Sequence, residues 1–125
     1  MHIEIEPYEP SFTELKILVK EENNILGKYI LHPYRPWNEW EKRRETYHYG
    51  GKEFYSHIPN KGIPRLLVKT ACSLLQELSE KLYSEIIHIE NFLTPKSRLK
   101  LPHIFRDLGY EIDFNCAFRS YFPKK

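Results

Sequence analysis

Asn60-Lys61-Gly62-Ile63-Pro64-Arg65 opens the stretch whose reading decides the fold, and Leu108-Gly109-Tyr110-Glu111 closes it. Pro64 suits a first helical position, where its missing N–H is lost at little cost. From there Leu67, Ala71, Leu74, Leu75, Leu78 and Leu82 recur at helical spacing, with Lys69, Gln76, Glu77 and Glu80 mainly on the other side. Residues 86–92 then read as a strand. Thr94-Pro95 can cap a short helix, and Pro102 argues against one continuous helix through to Leu108. Gly109 is a good C-terminal cap for the second piece. Residues 110–122 alternate, with Ile112, Phe114, Cys116 and Phe118 in register, as one strand or a hairpin. A glycine turn that feeds a helix start presents unpaired backbone N–H groups and a positive dipole end, a combination that suits a phosphate.

Upstream, residues 2–6 alternate as a first strand, ended by Pro7 and Pro10. Residues 13–20 alternate more strongly, with Leu15, Ile17 and Val19 facing one way. Glu21-Glu22-Asn23-Asn24 is a turn signal, and residues 26–32 return as the partner strand of a hairpin. In the next stretch a short helix is expected over residues 38–46, with Asn38 as N-cap, broken by Gly50-Gly51. Residues 52–58 form a strand that Pro59 ends. Strands first, then helix, strand, helix, strand, make an α+β domain: a mixed, mostly antiparallel central sheet flanked by helices.

At 125 residues the chain is expected to be one domain over residues 1–125. A hydrophobic content of 41% is ample for a core, which excludes a disordered tail. Lys+Arg (19) nearly balances Asp+Glu (17), so the net charge of +2 permits an anionic ligand without calling for nucleic acid. No apolar run is long enough to cross a bilayer, and Met1-His2-Ile3-Glu4 lacks the regions of a signal peptide. Cys72 and Cys116 make neither a disulfide framework nor a metal pattern, and a cytoplasmic protein with reduced thiols fits. His32, His48, His57 and His88 stand at no recognisable ligand spacing, so no metal site is expected.

The order of elements resembles the C-terminal two-thirds of a GNAT-type N-acetyltransferase, an acyl-CoA N-acyltransferase fold, in a divergent and shortened form. The resemblance covers residues 13–122 loosely and 52–111 best. It implies that residues 52–58 are the central strand, Lys61-Gly62-Ile63 the pyrophosphate turn, and Leu108-Gly109-Tyr110-Glu111 the closing turn. It further implies acetyl-CoA as cosubstrate, held by Ile58, Lys61, Gly62, Ile63, Arg65 and Asn91, and the amine of a small molecule or peptide as acceptor. Of the family turn Arg/Gln-x-x-Gly-x-Gly/Ala only Gly62 fits, since Pro59 and Pro64 replace the outer residues. Phe105 stands where the family often has an acid tyrosine. The family's two early helices have little room between Tyr8 and Thr13.

Acetyl transfer to an amine needs a proton acceptor and a proton route. On the central strand Glu53, Tyr55 and His57 share a face at period two. Glu53 or His57 could take the ammonium proton, and Tyr110 or Tyr55 could replace the missing acid. The same row also fits the polar face of a half-buried strand, as do His88 and Glu90 on the next one. Around residues 32–52, Arg35, Lys42, Arg43, Arg44 and Lys52 interleave with Tyr34, Trp37, Trp40, Tyr47 and Tyr49, offset by Glu39, Glu41, Glu45 and Glu53. That segment supports a second reading: a non-catalytic domain of the same fold that binds a protein partner or single-stranded nucleic acid. A homodimer interface is a third use of such aromatics and arginines.

Overall fold

The computed structural model describes residues 1–57 and 62–124. Its elements are β1 (His2–Glu6), β2 (Leu15–Glu21), β3 (Asn24–Tyr34), β4 (Trp37–Asn38), β5 (Arg43–Arg44), β6 (Tyr47–Ser56), α1 (Ile63–Leu82), β7 (Ile86–Asn91), α2 (Pro95–Lys100), α3 (Pro102–Asp107), β8 (Glu111–Asp113) and β9 (Cys116–Tyr121). Among the described residues seven strands form one sheet in the order β1-β2-β3-β6-β7-β9-β8. Only β6 and β7 pair in parallel; the other neighbours are antiparallel. The sheet is therefore mixed and mostly antiparallel, as expected.

The periodicity of α1 becomes its buried face. Leu67, Val68, Ala71, Leu74, Leu75 and Leu78 pack on one side of the sheet against Leu15, Ile17, Val19, Tyr29 and Leu31. Burying each large aliphatic side chain contributes about 1.5–3 kcal/mol. α3 adds Ile104 and Phe105 to the same core and packs against α1, β8 and β9. Thr94 caps α2, its hydroxyl accepting from the Ser97 amide, and Pro102 opens α3 as a separate helix. The tail is a hairpin of β8 and β9, and Gly109 follows α3 at a φ of 89°. Residues 7–14 hold no helix. This loop is pinned to the core side instead, where Tyr49 donates to the Thr13 carbonyl at 2.7 Å and Lys81 to the Pro10 carbonyl at 3.0 Å.

Two expectations fail between residues 38 and 51. The helix over residues 38–46 is instead a small arm in which Trp37 pairs with Arg44 and Asn38 with Arg43. Asn38 caps a tight turn, accepting from the Glu41 amide at 2.9 Å, and Lys42 has a φ of 53°, which no α-helix contains. Gly50-Gly51 breaks nothing: both lie inside β6, which begins at Tyr47 and not at Lys52. Ile58, the expected end of that strand, lies outside the described residues.

Candidate functional site

The parallel pair is short. Tyr47 to Gly50 lie beside Ile86 to Ile89, and beyond that point β6 stays with β3 while β7 stays with β9. The strands part at Gly51 and Glu90. A Cβ on Gly51 would lie 1.8 Å from the Glu90 carboxylate, so glycine is required there to let that side chain lie over β6. Past this point the β7-facing backbone of β6 has no strand partner among the described residues.

A cleft of about 500 Å³ opens there, between the far half of β6, the start of α1, and α2–α3. Phe54, Pro64, Leu101 and Ile104 make its apolar wall, while Lys96, Lys100 and His103 make a basic one, and no carboxylate lines it. Ser56, also in the lining, has the one buried side-chain oxygen without a hydrogen-bond partner among the described residues. At the edge of the cleft Gly62 caps α1 in the left-handed region, with φ 69° and ψ 13°. A side chain there would be strained although nothing blocks it sterically. The first turn of α1 carries no acidic residue and no side-chain cap, leaving its positive end uncompensated.

Behind the parting point lies a string of buried polar groups. Tyr29 of β3 donates to Glu90 Oε1, and its hydroxyl lies 2.9 Å from His88 Nε2. His88 Nδ1 bonds the Tyr110 hydroxyl, which meets that of Tyr121 at 2.7 Å. Burial pushes the Glu90 carboxyl up to about 7, against the opposing pull of the Tyr29 hydrogen bond. Burial alone drives His88 down to about 3, so the ring is neutral. It also raises the phenols of Tyr29 and Tyr110 well above their ordinary value.

No family model matches the chain, and no curated relative does. Solved structures do. A mutant of the toxin AtaT, bound to the C-terminus of the antitoxin AtaR and acetyl-CoA, aligns at a TM-score of 0.59 and 15% identity, covering 86% of this chain and 67% of that one. The KacTA–DNA complex aligns at 0.60 and 13%, covering 89% and 70%. An acetyltransferase of the GNAT family from Streptococcus pneumoniae aligns at 0.52 and 12%, covering 89% and 68%. The chain has the GNAT acetyltransferase fold.

On this GNAT fold the residues singled out from sequence separate into groups. Gly62 sits at the cleft edge. Ile63 is fully buried, so only its backbone faces the turn. Arg65 is ion-paired with Asp107 at 3.0 Å, and Asn91 is exposed at the end of β7. Ile58 and Lys61 lie outside the described residues. Glu53 is exposed and paired with Lys28 at 2.8 Å; His57 is exposed, its Nδ1 3.0 Å from the hydroxyl of Tyr55, which lines the cleft. Tyr110 is buried within the string and does not line the cleft. Sequence reasoning missed Lys96, Lys100 and His103, although their spacing through the α2–α3 turn was a readable sign of one basic face. It paired His88 with Glu90 but could not supply Tyr29. Among the described residues no group of His, Cys, Asp and Glu could hold a metal, and no helix is long and apolar enough to cross a membrane.

Proposed function

We propose that the chain is an acyl-CoA-dependent N-acetyltransferase that takes acetyl-CoA into the cleft where β6 and β7 part and acetylates the amine of a small molecule or peptide. The observation that carries this reading is the cleft itself. It combines an unpaired strand edge, an orphaned Ser56 hydroxyl and an acid-free basic wall, and it ends at the bare start of α1. A long ligand with amides in its middle and phosphates at one end fits those features. The thioester supplies an activated acetyl carbon. The amides around Gly62, with Lys61 and Arg65, hold the pyrophosphate; Lys96, Lys100 and His103 add charge from the opposite wall. Each exposed ion contact contributes on the order of 1 kcal/mol or less. The test is an equilibrium titration with coenzyme A. Lys96→Ala combined with Lys100→Ala should weaken binding roughly tenfold, the sum of two such contacts, and increasingly so at low salt. Unchanged affinity would remove the cleft from the reading.

The arm of β4 and β5 favours a second reading, because Trp40 at its tip is 96% exposed. Its cations are largely engaged: Lys42 with Glu39 at 3.9 Å, Arg43 with Glu41, Arg35 over the Tyr47 ring at 4.4 Å, and Arg44 over Trp37 at 5.9 Å. That favours a protein partner over single-stranded nucleic acid, which needs free charge along its backbone. An oligonucleotide titration that quenches Trp40 fluorescence and weakens steeply with salt would reverse that preference.

A further inference from the structure

Glu90 is the only buried carboxylate among the described residues, at 7% exposure. Its Oε1 accepts from Tyr29, while Oε2 has no partner among those residues. The Glu90 side chain lies at the point where the strands part and keeps a small exposed area. From Oε1 inward runs an unbroken line: Tyr29, His88, Tyr110, Tyr121. Every member is a hydroxyl or an imidazole, able to donate on one side and accept on the other.

Such a line has two self-consistent directions. With Glu90 ionised, Tyr29 donates to it, His88 Nε2–H donates to Tyr29, and Nδ1 accepts from Tyr110. With Glu90 protonated, its O–H donates to Tyr29, Tyr29 donates to Nε2, and Nδ1–H donates to Tyr110. The two states differ in which imidazole nitrogen holds the proton.

We propose that Glu90 is the proton-accepting group at the parting of β6 and β7, and that its protonation reverses the buried string and swaps the tautomer of His88. Its use as a base rests on the acetyltransferase reading; the reversal of the string does not. In that use the acceptor's ammonium gives one proton through a water to the carboxylate, which then carries it on Oε1, the oxygen that faces Tyr29. The freed nitrogen lone pair forms the amide C–N bond as the C–S pair leaves on the coenzyme A sulfur, and the second nitrogen proton neutralises that thiolate. The groups facing Glu90 leave it free to change charge near neutrality. Tyr29 of β3, Tyr110 beyond α3 and Tyr121 of β9 carry no charge there, Cys72 of α1 lies against the Tyr110 hydroxyl at 4.0 Å, and Tyr49 of β6 turns its hydroxyl to Ser11 and Thr13. Arg119, the cation of this cluster, lies at the far end over the Tyr121 ring at 4.7 Å. Burial places the Glu90 transition at about 7 and keeps His88 neutral throughout.

The experiment is nitrogen-resolved NMR of the histidine rings from pH 5 to 9, without ligand, on the wild type, Glu90→Gln and Tyr29→Phe, with His88 assigned by its loss in His88→Gln. The wild-type ring should stay neutral and pass from the Nδ1–H to the Nε2–H form with a midpoint near 7. Glu90→Gln and Tyr29→Phe, each checked for a native amide spectrum, should abolish the swap. A single tautomer across the range, an imidazolium forming within it, or a swap that persists in Glu90→Gln would overturn the proposal. Because no coenzyme is present, failure here is separate from failure of acetyl-CoA to bind.

Discussion

Two polar sets lie on neighbouring strands, built from the same residue types. Glu53, Tyr55 and His57 run along the open side of β6, while Tyr29, His88, Glu90 and Tyr110 lie under the opposite face. In the open set the carboxylate is tied to Lys28 and water screens it. In the closed set burial pushes the acid up to about 7 and the imidazole down to about 3, because each charge would have to leave water. Residue type alone therefore does not assign chemistry here; the depth of the strand face does.

The largest way to break the contrast is to open the closed set. Phe105 lies edge-on to Tyr110 at 5.0 Å and is 6.3 Å from His88. Phe105→Ala should lower unfolding free energy by about 3–5 kcal/mol in denaturant melts and let water reach the string.

The closed set should also govern stability against pH. Glu90 has a folded value near 7 against an ordinary 4.5, so its protonated form contributes stability that is complete below 4.5 and lost as pH rises through 7. The amount is on the order of 3 kcal/mol. His88 works in the opposite sense: its folded value near 3 against an ordinary 6.5 gives stability present above 6.5 and lost as pH falls towards 3. The two nearly cancel between 4.5 and 6.5, so stability should plateau there and fall on both sides. Glu90→Gln should remove the fall above 6.5 and uncover the His88 slope below it, so that stability rises from pH 5.5 to pH 8 in the variant and falls slightly in the wild type, as read from melts at those two values.

A steric test sharpens the same boundary. Gly51→Ala pushes a methyl into the Glu90 carboxylate and should cost about 1–3 kcal/mol. Gly50→Ala meets only Tyr34 at 3.5 Å, an ordinary contact, and should cost less than about 1 kcal/mol for a strand. Equal effects at the two glycines would show that the Glu90 carboxylate does not lie over β6 at Gly51. The smallest effect belongs to the open set: Glu53→Ala should change stability by less than about 1 kcal/mol, and by nothing measurable in high salt.

Much of this architecture was legible because its signals are local. The leucines of α1, Pro64 at its start, the Thr94 cap and Gly109 after α3 each act within a turn or two of themselves. The segment of residues 38–46 carries the signal of a helix start in Asn38, but an asparagine side chain closes a tight turn with the same kind of bond as a helix cap. What decides it is the side chain of Asn38 closing a turn and Lys42 in the left-handed region, which spacing does not encode. Gly50-Gly51 resembled a break because the reason for Gly51 is Glu90, 39 positions away in the chain. The site divides in the same way. The glycine turn that starts α1 at Gly62 could be named from its own residues, whereas the string needed Tyr29 brought beside His88 and Glu90 across β6, a long-range pairing that no periodicity carries.

The central claim is that the cleft between the far half of β6, the start of α1 and α2–α3 holds acetyl-CoA, and thermal unfolding with and without ligand tests it most directly. Acetyl-CoA and coenzyme A should each raise the melting temperature in a saturable way, since a ligand that binds only the native state stabilises it by mass action. No shift at millimolar coenzyme A would contradict the account.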